Sequence, residues 1–279
     1  MAILRGHAIP TLGGLADHTY VTCQGGYAWA CWGRSAGGRI ICSGTGSSAN
    51  ANCLSQPWST AGLIYGVTGV CHQTANRILW PAGSTVRAAK GYWASWLAYG
   101  TYGTDTAAWL GRLAVCSLSK GEIAQCAIKK GGIKGKLPAI DRADRALVRD
   151  IKALYQRKIT PSEHKRRLTA KGPDLKTVGK EVKLAMQQRL GPKLKAAIVK
   201  DIQEIQQELF SKRAKIEASL HDGSLKGEAF AMKMNDTINK TLRDCQKSLG
   251  KDDYFKLMDL QAREKILIVD PKIAAKVHK

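Results

Sequence analysis

No run of about 18 or more apolar residues occurs in this chain, so a membrane-spanning helix is not expected. The nearest candidate, Ala61 to Val70, is too short and leads straight into polar residues. The first residues lack the charged, apolar and small-residue sections of a secretory signal; either export does not use that route or a leader has been removed. Phosphate-binding and dinucleotide fingerprints are missing, as are HExxH and GxSxG. There is no CxxC pair and no His at a finger-like spacing, which disfavours a structural zinc site. Neither an RNA-recognition signature nor a helix-turn-helix with a convincing recognition helix is present. No cofactor and no metal are expected.

What is present is unevenly shared. Residues 1–125 hold only 8 Lys/Arg and 3 Asp/Glu, whereas the remainder hold 36 and 19. All 7 Trp lie between Trp29 and Trp109, and 19 of the 28 Gly precede residue 125. The stretch Lys129 to Pro138 is rich in Gly and Lys and has no apolar period, as a linker should be. The chain therefore divides into a Trp/Gly/Cys-rich domain at 1–126, a linker at 127–139 and a basic, all-helical domain at 140–279. Seven of the 8 Cys fall in the first part. Such density fits disulfides and a location outside the cytoplasm, but it equally fits small buried hydrophobes.

The expected fold class is α+β: a small antiparallel sheet with a docked helix, followed by helices. His18–Cys23, Tyr27–Trp32 and Arg39–Cys42 are β-branched or aromatic runs separated by Gly pairs, and predict a meander of three strands. His7 falls in an irregular N-terminal stretch, and 43–60 reads as a long loop. Thr68 then caps a helix from Gly69 to Leu79, ended by Pro81-Ala82-Gly83. That places Cys71 at its third position, where free N–H groups and the helix dipole favour a thiolate. A thiol nucleophile needs a base within reach. His72 is its neighbour on the helix and points about 100° away, so His18 is the better placed base. Gln73 is a candidate oxyanion donor. His72, Gln73 and Asn76 are candidate supporting residues, and Asn76 and Arg77 also read as capping or surface residues. Buried Cys and strand His are, by residue type alone, more often packing than chemistry.

His18-Thr19-Tyr20-Val21, followed by Gly69-Val70-Cys71-His72-Gln73-Thr74-Ala75-Asn76, resembles the circularly permuted papain-like enzymes. These are permuted relatives of the NlpC/P60 peptidases and of lecithin–retinol acyltransferases, in which His precedes Cys. The resemblance covers about residues 10–80, and the long Gly/Ser/Asn loop has no counterpart in it. It implies a thiol-dependent hydrolase or acyltransferase for amide or ester bonds, with Cys71 as nucleophile, His18 as base and a peptide or peptidoglycan-like substrate. A third, orienting residue is not identifiable.

Residues 91–103 concentrate aromatics with Gly, as a core or as a stacking platform for sugars or bases. In the basic part, Ile140, Leu147, Ile151 and Leu154 form one helical stripe, and a second helix begins near Pro161. Leu175, Val178, Val182 and Ala185 stripe a helix ending before Gly191. Pro192 opens the longest helix, which carries Ile198, Ile202, Ile205 and Leu209. A return helix from Phe230 to Gly250 completes a hairpin, and Lys265–Pro271 closes the domain. Its excess of Lys and Arg fits an anionic polymer, a membrane surface or nucleic acid. The rival to an enzyme is a binding or structural protein with disulfides and a polyanion-binding helical face.

Overall fold

In the computed structural model, which describes residues 1–56, 59–116, 175–192 and 194–279, the chain has an α+β fold. Strands β1 (Ala2–Thr11), β2 (Ala16–Cys23), β3 (Ala28–Trp29) and β4 (Arg39–Gly46) form an antiparallel sheet in the order β3-β2-β1-β4. The N-terminal stretch is thus a central strand, and the expected three-strand meander is incorrect. Small residues hide the period of β1: Leu4, Gly6 and Ala8 turn inward, and its register with β4 shifts between Gly6 and His7. His7 is ordered there, its Nε2 lying 2.8 Å from Thr22 Oγ1 and its ring stacked on Tyr20.

The expected loop at 43–60 is also corrected. It continues β4 to Gly46 and then forms α1 (Ser48–Ser55), whose N-cap Ser47 accepts from the Asn50 N–H. Its glycines serve close approach, since a Cβ on Gly44 would lie 2.5 Å from the Ala82 carbonyl oxygen. Helices α2 (Cys71–Leu79), α3 (Tyr92–Tyr99) and α4 (Thr106–Cys116) follow, and a Cys53–Cys116 disulfide ties α1 to α4. Every residue of α3 is buried, so its aromatics are core rather than a platform.

The basic part contributes α5 (Leu175–Leu190), α6 (Ala196–His221), α7 (Gly227–Met258) and α8 (Pro271–Val277). Two expectations shift. Helix α6 starts after Lys195, not at Pro192, and the longest helix among the described residues is α7, which runs past Gly250 through a local break at φ 75°. The linker at 127–139, the stripe from Ile140 to Leu154 and the helix near Pro161 lie outside the described residues. No helix among the described residues is long and apolar enough to cross a membrane.

One apolar cluster runs from Leu4, Val21 and Trp29 of the sheet through Trp93, Trp96 and Leu97 of α3 to Ile202, Phe230 and Ile238 of the basic helices. The C-terminal end of α3 shows how the halves join. Its last carbonyls lack intrahelical partners, and α6 supplies them: Gln206 Nε2 donates to Leu97 O at 3.0 Å, and Arg213 donates to Ala98 O. Arg213 also donates to Val67 O and stacks on Tyr99.

Candidate active site

On the edge of β2 away from β1, β3 meets only Val21 and Thr22, so the outer edge of Ala16–Tyr20 carries no strand. The first turn of α2 docks there. Cys71 Sγ lies 3.9 Å from the Asp17 carbonyl oxygen, and His72 Nε2 donates to the same oxygen at 3.1 Å.

The helix begins at Cys71 itself, not at Gly69, and Val70 rather than Thr68 is its N-cap. Gly69 is extended because it bridges to Tyr65, and the Thr68 hydroxyl is occupied in that turn, accepting from the Ile64 N–H at 2.8 Å. Cys71 therefore sits two positions closer to the dipole's positive end than expected, among N–H groups without intrahelical partners.

His18 lies on β2, one residue from the carbonyl that Cys71 meets, and its charge acts on the thiol. Burial alone would push the Cys71 thiol up, yet its pKa is lowered from the ordinary 9.0, because the influence of the neighbouring His18 outweighs burial. Burial likewise opposes the His18 imidazolium, but Cys71, the Arg34 carbonyl and the charge of Asp270 raise it above 6.5. His18 Nε2 donates to the Arg34 carbonyl oxygen at 3.0 Å. That bond fixes the orientation of the ring. The group that orients the His18 ring is thus a backbone carbonyl. Gly33 lies under the ring, where a Cβ would come within 2.6 Å of Cε1. Cys71 and His18 are 9% and 7% exposed.

Two further groups stand nearby. Burial, then the charge of Cys71, pushes both the Cys31 thiol and the Tyr65 phenol well up, so both keep their protons. Tyr65 is held by the C-terminal segment: its hydroxyl oxygen accepts from the Asp270 N–H at 2.8 Å, and its carbonyl meets His278 Nε2 at 2.7 Å.

The remaining candidates are structural. His72 is buried, and that burial lowers its pKa to about 4, so it is neutral. Because Nε2 donates to Asp17, its Nδ1 accepts from the Ser95 hydroxyl, 2.8 Å away. Gln73 is not free to serve as an oxyanion donor: Oε1 accepts from the Val70 N–H, and Nε2 donates to Ser95 Oγ and Gly100 O. Asn76 holds Thr101 O, the Tyr92 hydroxyl and the Val86 N–H. Arg77 is wholly buried, bound to Tyr102 O, Ala61 O and the Asp105 carboxylate. Neither Asn76 nor Arg77 lies at the surface.

Sequence reasoning did not mark Gly33, Arg34, Tyr65 or Asp270. Gly33 is one of many glycines, and a carbonyl belongs to every residue. Compared with models of protein families, with curated proteins and with solved structures, the chain has no match.

Proposed function

We propose that the chain is a cysteine-dependent hydrolase or acyltransferase acting on amide or ester bonds, with Cys71 as nucleophile and His18 as its base. A single observation carries this reading. Cys71 opens α2 against the edge of β2, the strand that carries His18, and the His18 imidazole is fixed from behind by the Arg34 carbonyl. Burial opposes charge on both groups, and their mutual influence outweighs it. Buried pairs with opposed shifts of this kind concentrate at catalytic centres.

In the proposed reaction the thiolate adds to the substrate carbonyl. The N–H groups at the start of α2, which have no intrahelical partners, would serve as donors for the oxyanion. The His18 imidazolium gives its proton to the leaving amine or alcohol, which departs and leaves a thioester on Cys71. Neutral His18 then takes a proton from water, or from an acceptor hydroxyl or amine, as that group attacks the thioester. A peptide or peptidoglycan-like substrate is proposed from the family resemblance. The exposed Lys and Arg of the basic helices would bring the enzyme to an anionic polymer, a membrane surface or nucleic acid.

The test is hydrolysis of activated esters and of cell-wall-type peptides by the wild type, Cys71→Ser and His18→Ala. Each substitution should remove at least about a thousandfold of kcat/KM with the circular dichroism unchanged, because the pair acts as a unit. Full activity in either variant would overturn the proposal.

A further inference from the structure

Helix α8 is short, and local chemistry sets both its ends. Asp270 caps its start by accepting from the Lys272 and Ile273 N–H groups, Pro271 takes the first position, and the chain leaves the helix at His278. The first turn of α7 packs against it, since a Cβ on Gly227 would lie 2.5 Å from the Ala274 carbonyl oxygen. That close approach lets the Gly227 N–H, which has no intrahelical partner, donate to the His278 carbonyl oxygen at 3.1 Å. The His278 ring meets Phe230 in a T-shaped contact at 5.3 Å. Held at its backbone and at its ring, His278 donates from Nε2 to the Tyr65 carbonyl oxygen at 2.7 Å.

Tyr65 belongs to the turn from which α2 springs. Gly69 bridges back to Tyr65, and the Gly66 N–H donates to the Gly69 carbonyl oxygen at 2.8 Å, so residues 65–69 close on themselves. Val70, the N-cap of α2, and Cys71, its first residue, follow at once. Donors from elsewhere take the carbonyls of this turn. The Tyr99 hydroxyl donates to Gly66 O at 2.7 Å, Arg213 to Val67 O, the Thr104 N–H to Thr68 O at 2.9 Å, and His278 to Tyr65 O. Tyr65 is buried, so loss of His278 would leave its carbonyl short of a partner. A turn free to shift would move the thiol against His18, and a misplacement of about 1 Å costs roughly a hundredfold in rate.

We propose that His278 is a positioning residue for the reaction: by donating to the Tyr65 carbonyl it locks the turn at 65–69 and so sets where Cys71 stands relative to His18. The proposal rests on the reading of Cys71 as nucleophile. It gives the basic part a second role beside attraction to an anionic partner, because a residue from that part holds the site carried by the first. His278 acts through Tyr65 alone, and neither gives nor takes a proton in the cycle.

The experiment compares the full-chain wild type with His278→Phe and His278→Gln at room temperature. The readouts are hydrolysis of the activated esters and carbamidomethylation of Cys71 by iodoacetamide at about pH 6, followed by peptide mass mapping. Phenylalanine keeps a ring against Phe230 and removes the donor, whereas the glutamine amide keeps a donor near the position of Nε2. His278→Phe should lower kcat about tenfold with KM changed less than about twofold, and should slow the labelling by a similar factor. His278→Gln should recover most of both. If the phenylalanine variant misfolds by circular dichroism, His278→Ala makes the same comparison. A His278→Phe protein with a lower melting temperature but wild-type kcat and labelling would reduce the bond to packing and overturn the proposal. A glutamine variant no faster than the phenylalanine one would overturn it too. A wild type with neither hydrolysis nor fast labelling would remove the nucleophile reading, and this proposal with it.

Discussion

At the Cys71 sulfur, burial and electrostatics pull in opposite directions, and electrostatics prevails. The consequence is a defined pH dependence. Cys71 is charged above its lowered pKa, and His18 is charged below its raised one. Activity should therefore rise with pH on a limb that lies below 9.0, and fall on a limb above 6.5, the ordinary values of the two groups. A pH profile of kcat/KM checks both limbs. Gly33→Ala should displace the His18 ring and cost roughly a hundredfold in kcat, as misplacement by about 1 Å does, with little loss of melting temperature. Residue type and chain order were enough to single out Cys71 and His18. They were silent about Gly33 and the Arg34 carbonyl, because a backbone acceptor and a close approach leave no mark in residue chemistry.

Among the elements, α2 shows why a polar helix can be core. Six consecutive residues, His72 to Arg77, are buried, and the polar ones among them connect the sheet edge, α3 and the loop at 100–105. The sequence offered a functional site or a surface for them, and pattern alone does not distinguish either from a buried hydrogen-bond network. His72 gives a test. Folded, it titrates at about 4, while the unfolded chain takes the proton near 6.5. Stability from this residue is full above 6.5 and is lost as pH falls towards 4, by roughly 3 kcal/mol. Urea unfolding at pH 7 and pH 4.5 should show the loss, and His72→Gln should reduce it. The disulfide between α1 and α4 closes 63 residues of sequence, and its reduction should remove about 4 kcal/mol in the same assay. Cysteine counting left that pairing open, since spacing does not encode which thiols meet.

Over the whole molecule, composition divides the chain while packing joins the described parts. The Gly, Trp and Cys bias and the charge shift near residue 125 are plain in the sequence. That α6 would close the end of α3 with Gln206 and Arg213 was not, because a lone Arg on a basic helix reads as one more surface charge. Arg213→Met should leave the Ala98 and Val67 carbonyls unpaired and cost about 3 kcal/mol or more. With a shared core, tryptophan fluorescence from the first half and helical circular dichroism should lose signal in one coincident transition. Two separated transitions would contradict the joint packing.

The claim that a Cys71 thiolate is the working group of this protein is tested most directly by alkylation of the intact wild type at about pH 6. The rates at Cys71 and Cys31 are read from the same digest. Cys71 should react many times faster than an ordinary thiol, while Cys31, protonated and buried, stays unlabelled. A Cys71 that reacts no faster than Cys31 would contradict the account.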